Sequence, residues 1–252
     1  MMKVIDIYNY LNKIAPFETA MSFDNCGLLI GDSQKEVTNV IITLDITKKV
    51  VMEAKEKNAN LIISHHPVIF NGVKSIEFDS VIALLIKHEI NTIAVHTNLD
   101  IANLGVNYQL ASHIGLKDIK LMEWENECIS VGTLKEEISE TDFAKNIKEN
   151  LNCNGLRFTK LNQNIKKVAV ACGAGGEAVF KAKKLGANAL VTGEIKHHEI
   201  IYGIENNISI FDAGHYKSED IVINPLIEML KKEFKEINFL KSEVFTDSIE
   251  YI

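Results

Sequence analysis

The sequence predicts an α/β protein of two similar, interlocked α/β halves, each a β-α-β-α-β internal duplicate, and two observations carry that prediction. The first is a repeat. Residues 39–64 align without a gap on residues 167–192, an offset of 128. Val40 matches Val168, Val51 matches Val179, Ala54-Lys55 matches Ala182-Lys183 and Ala59-Asn60 matches Ala187-Asn188. Unmatched positions keep their character, with Ile62-Ile63 against Leu190-Val191 and Ser64 against Thr192. Each copy reads as a β-branched run, a turn, an amphipathic helix of roughly ten residues and a second apolar run, a unit whose two strands are parallel. The second observation is that both copies continue alike. A helix around Ser80–His88 leads to a strand at 92–95, and a helix around Ile195–Ile204 leads to a strand at 209–213. A pseudo-twofold between the halves follows as an expectation.

The remaining elements follow in order. Val4, Ile7, Tyr8, Leu11 and Ile14 keep helical spacing and Pro16 stops it. A loop with Asp24-Asn25-Cys26-Gly27 and Gly31-Asp32 encloses a short apolar run. Between the copies, the sequence predicts a strand at Ile129–Leu134, a helix capped by Ser139 with Asp142 three residues on, and a further strand. A helix from about Ser218 to Glu236, kinked or restarted by Pro225, and a strand at Glu243–Phe245 close the chain. The expected halves are 1–115 with 206–252, and 116–205.

Composition sets the outer bounds. With 252 residues, 46% hydrophobic and 24% charged, 14 Gly and 3 Pro, the chain is an ordinary folded protein rather than a low-complexity or disordered one. A net charge of −7 gives no basic stripe for nucleic acid. No apolar run is long enough to cross a membrane, and Asp6 interrupts any apolar leader. The four cysteines, at 26, 128, 153 and 172, form no CxxC knuckle and read as reduced thiols of a cytoplasmic protein.

In open α/β sheets, ligands bind beyond the carboxyl ends of the strands. Those ends carry His65-His66-Pro67, then His96 with Asp100, then His215 with Glu219. Imidazole with carboxylate suits Zn, Mn, Fe or Co, and neither lone His88 nor lone His113 has such company. The reading is two divalent metal ions per subunit, held by His65, His66, Asp100, His215 and Glu219 at the strand ends, in the cleft between the halves. His65 and His66 diverge from a strand end and serve different ions. Glu219, four residues after His215 on one helical face, is the carboxylate expected to bridge both. Such a pair polarises an oxygen and generates hydroxide at neutral pH. His96 and Glu194 are the candidate catalytic proton carriers. Glu194, His197, His198 and Glu199 do not form HExxH, so a zincin reading fails. Gly173-Ala174-Gly175-Gly176 follows a strand and opens a helix, as a phosphate-binding turn would, but it lacks the full dinucleotide pattern and a P-loop Lys-Ser/Thr; a tight strand-to-helix turn is the other reading, and the sequence leaves both open.

These residues resemble the GTP cyclohydrolase I type 2 homologue family, also called NGG-interacting-factor-like dinuclear metal proteins. The resemblance covers nearly the whole chain. It rests on residues 23–28 (FDNCGL), 62–70 (IISHHPVIF), 96–100 (HTNLD), 104–107 (LGVN), 192–194 (TGE) and 212–219 (DAGHYKSE). It implies the same five ligands with His96 beside them, a toroidal homohexamer, and hydrolysis of a nucleotide or phosphate-bearing metabolite. The named form is opening of the GTP imidazole ring with formate release. A non-enzymatic metal-binding or scaffold hexamer is the alternative. Phe23 stands where many relatives carry Trp, and the chain is too short for the domain some relatives insert mid-chain.

Overall fold

The computed structural model describes residues 2–124 and 127–252, with the side chains of 123–128, Cys128 among them, outside the description. The chain begins with α1 (Val4–Ile14), which buries Val4, Ile7 and Leu11 and ends before Pro16. Asp6 closes its first turn by accepting the Lys3 N–H at 2.8 Å. Next come β1 (Gly27–Ile30), β2 (Asn39–Thr43), α2 (Lys48–Glu56), β3 (Ala59–Ser64), α3 (Val81–Lys87) and β4 (Asn91–Ala94). The Thr47 and Ser80 hydroxyls cap α2 and α3 by accepting from Val50 and Ala83 N–H. A single turn, α4 (Thr97–Asp100), follows β4.

Then come α5 (Val106–His113), β5 (Lys117–Trp124), β6 (Glu127–Ser139), α6 (Glu140–Asn150), the two-residue β7 (Arg157–Phe158) and β8 (Asn164–Ala171). The Ser139 cap is present, with its Oγ accepting the Asp142 N–H and donating to the Asp142 carboxylate. After β8 come α7 (Val179–Ala182), β9 (Ala189–Thr192), α8 (His197–Glu205), β10 (Ser209–Asp212) and α9 (His215–Glu219). Last are α10 (Ile223–Glu233) and β11 (Asn238–Lys241).

Two compact units result: Met1–Ala102 with Ile223–Thr246, and Asn103–Val222 with Asp247–Ile252. The first holds a five-stranded sheet in the order β1-β4-β3-β2-β11, the second a six-stranded sheet in the order β5-β6-β8-β9-β10-β7. The chain leaves the first unit after α4 and returns to it with α10. The duplication extends to register. Val40 faces Leu61 across β2 and β3, and Val168 faces Ala189 across β8 and β9, both members displaced by the same 128. In each unit an antiparallel strand closes the edge beyond the third repeat strand, β1 on β4 and β7 on β10. The turns match too. Asn58 and Gly186 both take positive φ after the first repeat helix, and Glu89 and Asn207 do so after the second. Each unit has its own core. One gathers Ile41, Val50, Val51, Ile62 and Leu85, and the other Ile129, Ala169, Val179, Leu190 and Ile210.

Several expectations need correction. The division at 115 and 205 is displaced, because β10 pairs in parallel with β9 and so carries 206–222 into the second unit. Residues 103–115 follow, with Asn107 Oδ1 accepting the Cys172 N–H at 2.8 Å. The helix of the second copy is shorter than its counterpart, a 3₁₀ turn at Gly175–Ala178 followed by one turn of α-helix. Helix Ser218–Glu236 is two helices, with a 3₁₀ turn at Asp220–Val222 between them. Pro225 lies in the first turn of α10, where its missing N–H costs no helical bond. The strand at Ile129–Leu134 is longer, running Glu127–Ser139.

The closing strand is Asn238–Lys241 rather than Glu243–Phe245. Phe239 is buried there and pairs beside Val40. The Ser242 N–H still donates to the Ile42 carbonyl of β2 at 2.9 Å, and beyond it the buried carboxylate of Glu53 on α2 accepts from Ser242 Oγ at 2.5 Å and Glu243 N at 2.9 Å, with Lys57 Nζ at 2.9 Å. Burial pushes the Glu53 carboxyl up, but these donors outweigh it and hold the group below its ordinary range. A depressed folded-state pKa contributes stability above the unfolded value of about 4.3, and that contribution is lost as pH falls through the folded value. Urea unfolding of Glu53→Gln should therefore show a loss of stability at pH 7 that shrinks toward pH 3. A constant deficit across that range would show that the carboxylate charge is not the stabilising feature.

Among the described residues no helix is long and apolar enough to cross a membrane.

Candidate metal centre

In the first unit the carboxyl ends of β2, β3 and β4 lie side by side, and so do the residues that follow them. His65 and His66 follow β3; His96 follows β4. The three rings lie 5.0, 5.1 and 5.3 Å apart between centroids, and each offers a nitrogen within 4.8 Å of the others. His96 thus belongs to the cluster rather than standing beside it. Asp100, at the end of α4, brings Oδ1 to 3.5 Å from His65 Nε2.

Each of these imidazoles has an oxygen close to Nδ1, and for His65 and His96 the contact is a hydrogen bond. His65, buried, has Nδ1 2.8 Å from the Val95 carbonyl. His66 has it 3.0 Å from Asp45 Oδ1, just after β2. His96 has it 2.9 Å from Asp24 Oδ1, in the loop before β1. A carbonyl or carboxylate oxygen only accepts, so Nδ1 carries the proton and Nε2 carries the lone pair in the neutral ring. That tautomer is the one a metal requires when Nε2 ligates, and orienting acceptors of this kind accompany metal-bound histidines.

Asp24 also accepts from Thr97 N at 3.1 Å, from Thr97 Oγ1 and from Cys26 Sγ. Burial raises its carboxyl, yet the bonds from His96 and Thr97 prevail and hold it far below the usual carboxylate range. Burial pushes the Cys26 thiol up to about 12 and the Cys153 thiol up to about 11, which keeps both protonated at neutral pH.

The second unit carries its own set at the ends of β8, β9 and β10. His215 opens α9 and Glu219 ends it, with His215 Nε2 3.1 Å from Glu219 Oε2 on one helical face. His215 Nδ1 lies 2.6 Å from Glu194 Oε1, beyond β9. Glu194, expected to move protons, therefore has a positioning task as well, the one Asp45 performs for His66. His197 and His198 lie exposed at the start of α8, and Glu199 is buried as the partner of the Lys196 N–H. His88 ends α3, and His113 Nδ1 sits on the Gln109 carbonyl, both structural placements.

Sequence reasoning did not single out Asp24 and Asp45. The signal was present, since Asp45 follows a repeat strand and Asp24 precedes the short strand beside β4, but which acid meets which imidazole is a matter of strand order. The residues fit a divalent ion of borderline softness: imidazole Nε2 atoms with their tautomer set, carboxylates beside them, and no thiolate.

Two α/β units with histidine and acid clusters at their strand ends define the class as an α/β protein with a candidate metal centre. The model for Duf34/NIF3 (NGG1p interacting factor 3) matches residues 2–248, and the chain belongs to that family. A "GTP cyclohydrolase 1 type 2 homolog" of Clostridium perfringens is 34% identical over 262 residues, covering all of both chains. One of the same name from Staphylococcus aureus is 30% identical, also covering all of both, over an alignment of 367 positions that includes an insertion absent here. Among solved structures, a hypothetical protein of S. aureus has a TM-score of 0.93 at 34% identity, covering 100% of this chain and 99% of that one. A Bacillus cereus protein related to NIF3 shares the fold, with TM-score 0.89 at 24% identity, 100% of this chain and 99% of that one.

The orienting acceptors are separately testable. Asp45→Ala and Glu194→Ala remove the oxygen beside Nδ1 of His66 and His215. Loss of such a partner typically costs about 10–100-fold in metal affinity. Competition titration of Zn²⁺ against a chelator should show that drop for each variant, with circular dichroism unchanged.

Proposed function

We propose that the chain is a dinuclear divalent-metal hydrolase acting on a nucleotide or other phosphate-bearing metabolite. The observation that supports this best is the shared orientation of four histidines, His65, His66, His96 and His215, each with Nδ1 on an acceptor. His65, His66, Asp100, His215 and Glu219 together would hold two ions from among Zn, Mn, Fe and Co. Ions so held would supply Lewis acidity and acidify a coordinated water. The chain's residues do the rest. Adjacent His65 and His66, leaving β3, serve different ions. Glu219 has the reach and, beside His215, the placement to be shared between them, and its charge offsets their repulsion. His96, backed by Asp24, and Glu194, beside His215, are the groups placed to carry protons.

The relatives' name, GTP cyclohydrolase 1 type 2 homolog, supports a guanine nucleotide; GTP imidazole ring opening with formate release is the form that the sequence resemblance implies. The alternative, a non-enzymatic metal-binding or scaffold hexamer, keeps the same centre without turnover. The chain is read as a homohexamer in either case. Phe70, Val73, Ile76 and Phe78, exposed along one loop of the first unit, support self-association, since single chains rarely expose such a row. A cytoplasmic setting fits Cys26, Cys153 and Cys172, all outside any disulfide.

Turnover of a nucleotide panel under Mn²⁺, Zn²⁺ and Fe²⁺, with formate and phosphate followed separately, decides between the readings. Formate from GTP supports the named form, phosphate alone supports another hydrolase, and no turnover under any metal supports the scaffold. Elemental analysis should give two metals per chain, falling at both sites together in Glu219→Gln. Light scattering at the 28.2 kDa of one chain would refute the hexamer.

A further inference from the structure

The glycine turn after β8 found no place in the functional reading above, although it sits beside its most charged ligand. Gly173 has φ +53. A Cβ built on it would overlap Glu219 Oε1 and come within 3.2 Å of His215 Nε2. Glu219 is itself buried, so its carboxylate has little room to withdraw. Three bonds fix the turn where it is. Asn107 Oδ1 accepts the Cys172 N–H at 2.8 Å, Ser218 Oγ accepts the Gly173 N–H at 3.0 Å, and the Gly173 carbonyl accepts the Gly193 N–H at 3.0 Å. Asn107 and Ser218 are themselves buried, and Ser218 lies on α9 between His215 and Glu219. The same hydroxyl thus joins the turn to the helix that carries the ligands.

The repeat sharpens the point. Displaced by 128, Gly173 falls on Asp45, and Glu194 falls on His66. In the first unit the position carries an acid that orients a histidine. In the second it carries no side chain at all, and a carboxylate from α9 occupies the space. From these contacts we infer that Gly173, clamped by Asn107 and Ser218, is the positioning residue that admits the Glu219 carboxylate beside His215, so that any side chain at 173 displaces the anion from its place in the metal centre. The inference rests on the dinuclear reading of that centre. It also accounts for the Leu104–Asn107 motif, whose Asn107 holds the turn.

The test separates space from backbone strain. Gly186 also has positive φ, at +70, but a Cβ there meets only Lys167 Nζ at 3.4 Å. Zn²⁺ affinity of the chelator-stripped full chain is measured by calorimetry for wild type, Gly173→Ala, Gly186→Ala, Glu219→Ala and the Gly173→Ala/Glu219→Ala double variant. Gly173→Ala should weaken Zn²⁺ binding at least tenfold, while Gly186→Ala leaves it unchanged. In the Glu219→Ala background, Gly173→Ala should cause no further loss, because its effect passes through that carboxylate. Wild-type affinity in Gly173→Ala, or an undiminished loss in the Glu219→Ala background, overturns the inference while leaving the dinuclear reading standing. Wild-type affinity in Glu219→Ala overturns both. Should Gly173→Ala fail to fold, Ser218→Ala, which loosens the turn without adding a Cβ there, should weaken binding several-fold; wild-type affinity in it would overturn the inference.

Discussion

A neutral imidazole keeps its proton on one nitrogen and its lone pair on the other, and an acceptor oxygen beside one nitrogen selects which; the rings at the strand ends each have such an oxygen. His65 meets it with a main-chain carbonyl of the neighbouring strand connection, His66 with Asp45, His96 with Asp24 and His215 with Glu194. Each acceptor comes from a different strand end or loop than the ring it holds. These ring orientations are therefore a property of strand order, set by the parallel registers β2-β3-β4 and β8-β9-β10 and, for His96, by β1 antiparallel on β4.

Duplication has produced two versions of one arrangement. Both units run β-α-β-α-β with matching registers, matching αL turns and an antiparallel edge strand. Both place a histidine and an acid four residues apart just after the third strand, His96 with Asp100 and His215 with Glu219. At the second strand they part company. The first unit has His65-His66 where the second has Gly193-Glu194. The first unit thus has two imidazoles where the second has a glycine and a carboxylate.

Buried acids double as staples that hold loops to the frame. Asp24 gathers His96, Thr97 and Cys26; Glu53 gathers Ser242, Glu243 and Lys57; Glu140 gathers the amides of Leu161 and Asn162 and the Ser209 hydroxyl. A buried carboxylate is costly unless each oxygen is satisfied, so each of these acids fixes several donors at once. That is why β1, β7 and β11, only two to four residues long, hold definite registers at or near the sheet edges.

Local pattern alone determined the two repeats, their parallel strands, the cap at Ser139, and the histidine and acid pairs at the strand ends. Each of these is written in contiguous residues: a β-branched run, a hydroxyl before a helix, a spacing of four. Tertiary structure decided what depends on partners distant in sequence. It moved the boundary between the units, because strand 209–212 pairs with 189–192. It placed the last strand at 238–241, beside β2, with the Glu243 amide beyond it turned to Glu53. It drew His96 into the histidine cluster and chose Asp24 and Asp45 as orienting acids from among 34 acidic residues. It also gave the turn at Gly173 its meaning, since the reason for a missing side chain there is a carboxylate 46 positions away that no local pattern can see.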